Sequence, residues 1–512
     1  MNNGISRRRF IKGVGGAAAG AYTSGLGLAS QRATGNSVAG LEWDPERPQV
    51  ILSKPLVVQP LLRHEIETRK PQRSWRNWGD VHTEADALRE VQRISKELAR
   101  LRQLADFPLD ILPITRVTTD TQAENVRDTS PADAMILYAA GARFLDPCIT
   151  RKRPTVIFVR HRSGPVYDWY ENVSNRFLRV PGKDFEYDQI RNFEGVGVDD
   201  IVVDDYDEVL WRLRAIYGLM NFIGSRAVTI GKASGKGCPK APEVCRDKFE
   251  MNIVEVPYSD LGRRIAALRA NATLVRKLNR WSEQYLTQSH VTLKTKKEYV
   301  ENAFVLYAVF KDLLSEYNAQ SFTIQGCMNI VMPIAETTAC LALTLLQDEG
   351  HIAFCESDFA SHPAGVLLRY ITGKPVFMHN PTFPHKGVVT CAHCASPSRF
   401  NGGEYESVEV MTHYESDYGA APKVSIPIGQ QVTIINPDCA QVRWLGFRGT
   451  VERNPAYTIC RSQQDIRIEG DCRKLAREMR GSHWMMAYGD YLQDFGYATR
   501  KMGLDWLDIS QG

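Results

Sequence analysis

The feature that most constrains the fold of this chain is an alternation of short apolar runs with longer segments of helical periodicity. The runs ADAMILYAAG (132–141) and PTVIFVRH (154–161) end in glycine or polar residues, which is typical of buried strands. The segment YDEVLWRLRAIYGLMNFIG (206–224) places leucines and aromatic residues at helical spacing. Strands that alternate with helices pair in parallel through helical crossovers, so the chain is predicted to be α/β.

Two changes in this pattern divide the chain. SRAVTIGKASGKG (225–237) begins a new strand and ends in a glycine-rich turn whose spacing matches neither common phosphate-binding motif. From about residue 401, short alternating runs with Gly, Pro and Asn turns predict a small antiparallel barrel or sandwich. The predicted fold class is therefore α/β, with two Rossmann-like parallel-sheet domains followed by a C-terminal domain that contains a small antiparallel β-barrel. The predicted domains are an N-terminal α/β domain (41–220), a second α/β domain (221–322) and the C-terminal domain (323–512).

The first 29 residues resemble a twin-arginine export signal. SRRRFIKG, with Arg7 and Arg8 as the pair, precedes a Gly/Ala-rich stretch that ends near Ala29 in small residues suited to a signal peptidase. The apolar stretch is short and rich in glycine, which disfavours a membrane span. The mature chain is therefore expected to lack a membrane span and to be periplasmic or otherwise exported.

Charge and cysteine content set further limits. The formal net charge is +4, but four positive charges lie in the expected signal, so the mature chain is near neutral and gives no support to a nucleic-acid partner. Among eleven cysteines, Cys238 and Cys245 bracket a Pro-containing loop and are predicted to form a disulfide. Cys340 and Cys355 lie in apolar runs, where free cysteine packs as a small hydrophobe. CAHC (391–394) has a redox or zinc spacing but no accompanying second pair, which favours packing over a structural zinc.

Two acidic residues end an apolar run in FCESDFASHPAG (354–365). In extended backbone Glu356 and Asp358 would project to one face, and two carboxylates at a buried strand end are costly unless they meet a cation. Capping of the next helix, or exposure to solvent, is the alternative. Upstream, Glu336 lies near the start of a predicted helix, and a short αβ connection would bring Glu336 and Asp358 to one sheet edge. Open α/β sheets bind ligands at that edge.

Four blocks carry a resemblance to a known family. They are ETTACLALTLLQDEGHIAFCESDFASHPAGVLLRYITGKPVF, VVTCAHCASP, YTICRSQQDIRI and GSHWMMAYGDYLQDFGYATRKMGLDWLDI. In order and spacing they resemble the C-terminal half of the L-fucose isomerase and L-arabinose isomerase superfamily. The resemblance implies a divalent metal, usually Mn²⁺, held by Glu336, Asp358 and His483. It also implies that Glu336 and Asp358 transfer a proton between adjacent carbons through an enediol, and that the chain forms trimer-based homo-oligomers.

The chemistry of these residue types agrees with the resemblance. Two carboxylates and one imidazole suit Mn²⁺ and leave coordination positions for a sugar's carbonyl and neighbouring hydroxyl. Glu356 is expected as a supporting acid or alternative ligand. The expected substrate contacts are Glu356, His362, His393 and Trp484. The alternatives are an ordinary loop position for His362 and ordinary packing for His393 and Trp484.

The sequence therefore predicts an exported metal-dependent sugar isomerase-like enzyme that interconverts an aldose and a ketose. Ser361, His362 and Pro363 replace the small residues expected after the metal-binding acid, which indicates a substrate other than those of the best-known relatives. One alternative is another metal-assisted carbohydrate reaction, either epimerisation or glycoside cleavage. A further alternative is a non-catalytic sugar-binding protein on the same scaffold.

Overall fold

Two units, Ser53–Met220 and Asn221–Gly512, make up most of the chain, and the segment ending at Leu52 belongs to the second. The predicted export signal (1–29) lies outside the residues that the structure describes. The structure is a computed structural model, and it describes residues 38–50, 52–141, 145–168 and 195–511. The architecture is mixed α/β, with parallel sheets in both units and a closed antiparallel barrel in the second.

The first unit is built on a parallel sheet with strand order β2-β1-β4-β5-β6, and β3 also pairs with β1. The strands are β1 (Leu56–Arg63), β2 (Leu109–Ile111), β3 (Thr115–Val117), β4 (Ala134–Ala139), β5 (Thr155–Val159) and β6 (Ile201–Val203). Every residue of β4 and β5 is buried. The two apolar runs of the sequence are thus confirmed as central strands, because a strand covered on both faces is apolar throughout.

Three helices lie in the described residues between 52 and 224. They are α1 (Glu84–Leu104), α2 (Asp120–Thr129) and α3 (Tyr206–Phe222). Helix α1 begins at a capping box, in which Thr83 Oγ1 accepts from the Asp86 N–H and the Asp86 carboxylate accepts from the Thr83 N–H. The buried carboxylate of Glu90 on α1 pairs with Arg160, which directly follows β5. This pair ties the helix to the sheet.

The second unit contains a parallel sheet with strand order β11-β10-β7-β8. The first strands of this unit are β7 (Arg226–Ile230), β8 (Asn252–Val256), β9 (Val291–Leu293), β10 (Ser321–Ile324) and β11 (Ile352–Ala353). The predicted boundary near residue 322 falls inside β10, which pairs with β7 on one side and β11 on the other. The segments 221–322 and 323–512 therefore share one sheet and form one unit.

A closed antiparallel barrel follows the parallel sheet along the chain. The remaining strands are β12 (Phe377–Pro381), β13 (Val388–His393), β14 (Ser407–His413), β15 (Tyr418–Ser425), β16 (Gln431–Pro437), β17 (Arg443–Arg453), β18 (Ser462–Glu469), β19 (Trp484–Tyr488) and β20 (Asp505–Asp508). Six of them run in the order β16-β19-β12-β13-β18-β17, and β16 pairs with β17 to close the ring. The predicted small barrel is thus confirmed. Strands β15, β14 and β9 form a separate small sheet, and β20 pairs with β17.

Nine helices in the described residues of the second unit complete it. They are α4 (Ala241–Phe249), α5 (Tyr258–Ala270), α6 (Ala272–Leu286), α7 (Lys297–Glu316), α8 (Met332–Ala335), α9 (Cys340–Asp348), α10 (His362–Thr372), α11 (Cys472–Glu478) and α12 (Leu492–Lys501). A π-helical turn, Cys327–Val331, leads into α8. Across the described ranges, no single helix is long and apolar enough to cross a membrane. Two consecutive helical segments, Cys327–Ala335 and Cys340–Asp348, are together long and apolar enough, but the chain bends by 86° between them.

The disulfide differs from the one that the sequence predicts. Cys238 pairs with Cys439, 201 residues further on, and not with Cys245. Cys245 lies on the buried face of α4, where its thiol donates to the carbonyl oxygen of Phe359 at 3.1 Å. The helix directs Cys245 into the core, whereas Cys238 lies in the preceding turn and meets the loop after β16. The prediction of a Cys238–Cys245 bridge is therefore wrong.

Candidate metal and substrate site

Loops that follow three parallel strands meet at one edge of the sheet in the second unit. Lys236 lies in the loop after β7, Gln325 follows β10 directly, and Glu356 lies in the loop after β11. All three line a cavity of about 540 Å³. His393, the last residue of β13, adds a contribution from the barrel to the same cavity. Open α/β sheets bind ligands at the carboxyl ends of their strands. This cavity is therefore the candidate site.

His483 and Asp358 form a buried pair beside the cavity. His483 immediately precedes β19, and its Nδ1 lies 2.7 Å from Oδ2 of Asp358. Because a carboxylate only accepts hydrogen bonds, Nδ1 carries the proton and Nε2 presents a lone pair. Asp358 Oδ1 also accepts from the backbone N–H groups of Lys236 and Ala360, at 3.0 and 3.1 Å. Asp358 thus fixes the orientation and tautomer of His483.

Glu356 lies between two imidazoles and an ammonium group. Its carboxylate oxygens are 3.6 Å from Nε2 of His393, 3.6 Å from Nε2 of His483 and 2.9 Å from Nζ of Lys236. Burial opposes ionisation, but His393, His483 and Lys236 together hold the pKa of the Glu356 carboxyl below its ordinary value. Glu356 therefore carries a negative charge that faces the cavity at neutral pH.

A left-handed turn explains how Glu356 and Asp358 reach the same histidine. Strand β11 ends at Ala353, and Glu356 and Ser357 have φ values of 63° and 49°. Residues other than glycine adopt this conformation at a cost, and such strain is concentrated at functional sites. The turn directs the Glu356 carboxylate toward Nε2 of His483, and the Asp358 carboxylate toward Nδ1. The two acids therefore do not share one strand face.

Three of these side chains have the arrangement of a metal site. One ligand atom from each of Glu356, His393 and His483 lies within 4.8 Å of the other two. Nε2 of His483 and both ring nitrogens of His393 are buried without a hydrogen-bond partner among the described residues. Buried polar atoms are nearly always partnered, so orphaned ones indicate a missing ligand. A carboxylate with two imidazoles suits a divalent transition metal and leaves open coordination positions. The residues present therefore fit a divalent cation.

Glu336 does not join this group, contrary to the prediction. It follows α8 with φ 57°, and its side chain is 57% exposed. Its carboxylate accepts a hydrogen bond from Nη1 of Arg269 at 3.1 Å, and its carbonyl oxygen accepts from Asn302 at 3.2 Å. The left-handed residue turns the side chain toward Arg269 at the end of α5. The ligand set is therefore revised, because Glu336 is paired with Arg269 and Asp358 holds His483.

Two predicted substrate contacts lie in the core and do not line the cavity. His362 begins α10, where its ring packs against Phe354 and Phe359 and its Nε2 lies 2.9 Å from Ser321 Oγ. Burial lowers the pKa of His362 to about 3, with a smaller opposing effect from the nearby carboxylate of residue 358. His362 is therefore a neutral residue that packs in the core. The prediction that it contacts the sugar is wrong.

Trp484 is also a core residue. Its indole N–H donates to the carbonyl oxygen of Arg480 at 3.1 Å, and its ring packs edge-on against Phe447 and His379. The side chain is fully buried, so Trp484 packs in the core, as the alternative prediction had it, and does not contact the cavity. Of the four predicted substrate contacts, Glu356 and His393 line the cavity.

Lys236 is one of the cavity residues that were not predicted from the sequence. It lies in a glycine-rich turn after β7, within the segment whose spacing matches no phosphate-binding motif. A lysine in such a turn, at the carboxyl end of a predicted parallel strand, is the signal that could have identified it. Asn329 and Asn380 contribute further polar groups to the cavity.

Comparison with protein families and with curated proteins finds no match to this chain.

Proposed function

We propose that this protein is a metal-dependent sugar isomerase-like enzyme that interconverts an aldose and a ketose. The observation that carries the proposal is the meeting of Glu356, His393 and His483 beside Lys236 at one cavity. The cavity volume of about 540 Å³ is within the range of small-molecule sites. The resemblance of the C-terminal sequence blocks to fucose and arabinose isomerases supports the same assignment.

The ligand set of the proposal is Glu356, His393 and His483, and the expected cation is Mn²⁺. When bound, such a cation supplies Lewis-acid polarisation of a sugar carbonyl. Asp358 accepts from Nδ1 of His483, which leaves Nε2 as the ring nitrogen that would bind the metal. The uncharged amides of Asn329 and Asn380 line the cavity and suit sugar hydroxyls.

Two cavity residues have the charges that proton transfer requires. Isomerisation removes a proton from one carbon and returns it to the adjacent carbon. We assign Glu356 as the group that accepts this proton, because it is the ionised carboxylate that lies among the ligand atoms. Partial burial opposes the charge of Lys236, but the hydrogen bond from its ammonium to Glu356 raises its pKa. Lys236 is thereby suited to hydrogen-bond the sugar oxygen that gains negative charge.

The remaining parts of the proposal come from the resemblance and from the N-terminal segment. They are a Rossmann-like arrangement of the parallel-sheet domains, a trimer-based homo-oligomer, and export to the periplasm. Replacing Arg7 and Arg8 by lysine would leave a folded precursor in the cytoplasm, because the export receptor reads the arginine pair itself. Light scattering of the purified mature protein measures its molar mass, which gives the number of subunits in the oligomer.

The reaction is tested by incubating the protein with a panel of aldoses in D₂O, with Mn²⁺ or with a chelator. The expected result is a ketose that carries solvent deuterium on the carbon beside its carbonyl, formed with Mn²⁺ and abolished by chelation. Glu356→Gln should lower kcat by at least about 100-fold, the lower range for loss of an acid–base group. Glu336→Gln is the matched control, since it removes an acid that the structure pairs with Arg269.

Three outcomes would count against the proposal. Cleavage of an oligosaccharide, or epimerisation without a ketose, would favour the other metal-assisted reaction. Tight sugar binding without any product would favour a binding protein. Equal loss of activity in Glu336→Gln and Glu356→Gln would contradict the ligand assignment.

A further inference from the structure

A second group of ligand atoms, which the proposed reaction does not use, lines the same cavity. Sγ of Cys340, Sγ of Cys394 and a ring nitrogen of His413 all lie within 4.8 Å of one another. The side chains are 2%, 3% and 6% exposed. Cys340 begins α9, Cys394 follows β13 and His413 ends β14. Three separate elements therefore converge to form the group, which local sequence spacing does not explain.

Further thiols lie close to this group. Cys460 packs against the cluster that Cys340 and Cys394 form with Ala421, and Cys327 and Cys355 line the same cavity. All five cysteines are free, and all five line the cavity. Five thiols thus gather at one cavity, three of them buried and two partly exposed. Five close thiols that remain unpaired, in a protein that holds a disulfide elsewhere, are an unusual arrangement for simple packing.

The imidazole of His413 supplies an independent observation. Its Nδ1 is buried without a hydrogen-bond partner in the described part of the chain. One nitrogen of this ring lies within 4.8 Å of the sulfur atoms of Cys340 and Cys394. Since buried imidazole nitrogens are normally satisfied, the orphaned nitrogen indicates that a ligand is missing here. The backbone N–H of Ala339 also donates to Sγ of Cys327 at 3.4 Å, a contact that favours thiolate character.

We infer that Cys340, Cys394 and His413 form a second metal site, for a thiophilic ion such as Zn²⁺. In tetrahedral geometry a Zn–S distance of about 2.3 Å places two sulfur ligands about 3.8 Å apart. Ligand atoms within 4.8 Å of one another need only small shifts to reach that spacing. Cys460 packs against the cluster that contains both sulfur ligands, so it is the residue placed to supply a fourth ligand.

The two sites of the cavity differ in the chemistry of their donors. Carboxylate oxygen and imidazole suit Mn²⁺, whereas thiolates select zinc, copper(I) or iron. The thiol site stands independently of the proposed isomerase reaction. It also revises the expectation for CAHC, because Cys394 joins the site and Cys391 does not. The ligands come from separate elements rather than from a C-x-x-C pair.

Cobalt(II) is the probe for this site, since thiolate ligation gives an intense near-ultraviolet charge-transfer band that oxygen and nitrogen ligands do not give. The full mature protein is purified under reducing, anaerobic conditions, and its native disulfide is verified by mass spectrometry. Titration with Co²⁺ should produce the thiolate band at one equivalent, and Zn²⁺ should displace it. Cys394→Ser and His413→Gln should each weaken Co²⁺ binding by more than about 100-fold. Loss of a residue that only orients a metal ligand already weakens metal binding by about 10- to 100-fold, and loss of the ligand itself should cost more.

Two variants serve as controls. Cys391→Ser removes a buried thiol of the same C-x-x-C segment and should keep the thiolate band. Glu356→Gln removes a ligand of the other site and should also keep it, which separates failure of this inference from failure of the proposed function. If Cys394→Ser does not fold, the result for His413→Gln tests the proposed thiol site, because this substitution replaces only one imidazole and keeps all the thiols. Absence of the band in the wild-type protein, its persistence in His413→Gln, or a Cys340–Cys394 disulfide would overturn the inference.

Discussion

Asp358 and His483 are joined by a hydrogen bond of 2.7 Å between two side chains that are both completely buried. The bond fixes the proton on Nδ1 and directs Nε2 toward Glu356. The pair connects the loop after β11 to the residue that precedes β19. A carboxylate that orients a metal-binding histidine in this way raises the basicity of the ligand without touching the metal.

Asp358→Asn should therefore weaken Mn²⁺ binding by about 10- to 100-fold, the range for loss of a residue that orients a metal ligand. The amide lacks the negative charge, and its NH₂ group would oppose the donors that now face Asp358. Isothermal titration with Mn²⁺ measures the change. Glu336→Gln should bind Mn²⁺ with wild-type affinity, because the structure places that side chain beside Arg269. A larger effect at Glu336 than at Asp358 would restore the ligand set that the sequence predicts.

The bridge between Cys238 and Cys439 closes a long loop and should contribute measurably to stability. Cys439→Ser should lower the free energy of unfolding by about 2–4 kcal/mol, the usual effect of removing a disulfide cross-link from the unfolded chain. Urea denaturation under non-reducing conditions measures it, with Cys472→Ser as a control for loss of a free thiol. Thiol counting in denaturant should find nine free groups in the wild-type protein. A count of eleven would show that the bridge does not form.

Elements set by local pattern could be predicted from the sequence, as β4 and β5 illustrate. Both strands are buried on both faces, so their sequences are almost wholly apolar, and the runs end in glycine after β4 and in charged residues after β5. The barrel was predictable for a related reason, because alternating runs between Gly, Pro and Asn turns indicate antiparallel strands. Each of these signals is contained within a few consecutive residues.

Features that depend on distant residues were not predictable in the same way. Cys439 is 201 residues from Cys238, and no spacing rule connects them. The turn at Glu356 contains no glycine to mark its positive φ, so the alternation rule placed Glu356 and Asp358 on one face. Glu336 has the residue type expected of a ligand, but its direction is set by Arg269 from another helix. The direction of a side chain and the identity of its partner depend on the tertiary structure, and they cannot be read from the local pattern of a single sequence.

The pairing of Arg160 with Glu90 predicts a strong effect in the first unit. Both side chains are fully buried, and Arg160 also contacts Glu97 and Tyr167. Arg160→Met should destabilise this unit by about 3–5 kcal/mol, because it removes the only fully buried cation beside the Glu90 carboxylate, which then keeps Tyr167 and the half-exposed Arg93 as partners among the described residues. Arg102→Met breaks an exposed pair and should change stability by less than about 1 kcal/mol. Urea denaturation followed by circular dichroism compares the variants, and equal effects would contradict the structural distinction.

Buried histidines in the second unit predict a loss of stability in acid. Burial lowers the pKa of His351 to about 3, with smaller contributions from Lys311 and Arg369, and burial also lowers the pKa of His362 to about 3. In the unfolded chain both groups titrate near pH 6.5. Between these values the unfolded state binds more protons than the native state. The stabilising effect is therefore complete above about pH 6.5 and is lost as the pH falls.

His362→Gln should reduce this pH dependence while lowering stability at neutral pH. Glutamine does not titrate. Between pH 6 and pH 4, the free energy of unfolding of the variant should therefore change less steeply with pH, by up to about 1.4 kcal/mol per pH unit. At pH 7.5 it should be less stable than the wild type, because the imidazole that packs between Phe354 and Phe359 is gone. Urea denaturation at a series of pH values gives both quantities. His385→Gln changes an exposed histidine and should leave the slope unaltered. An unchanged slope in His362→Gln would mean that folding does not lower the pKa of His362.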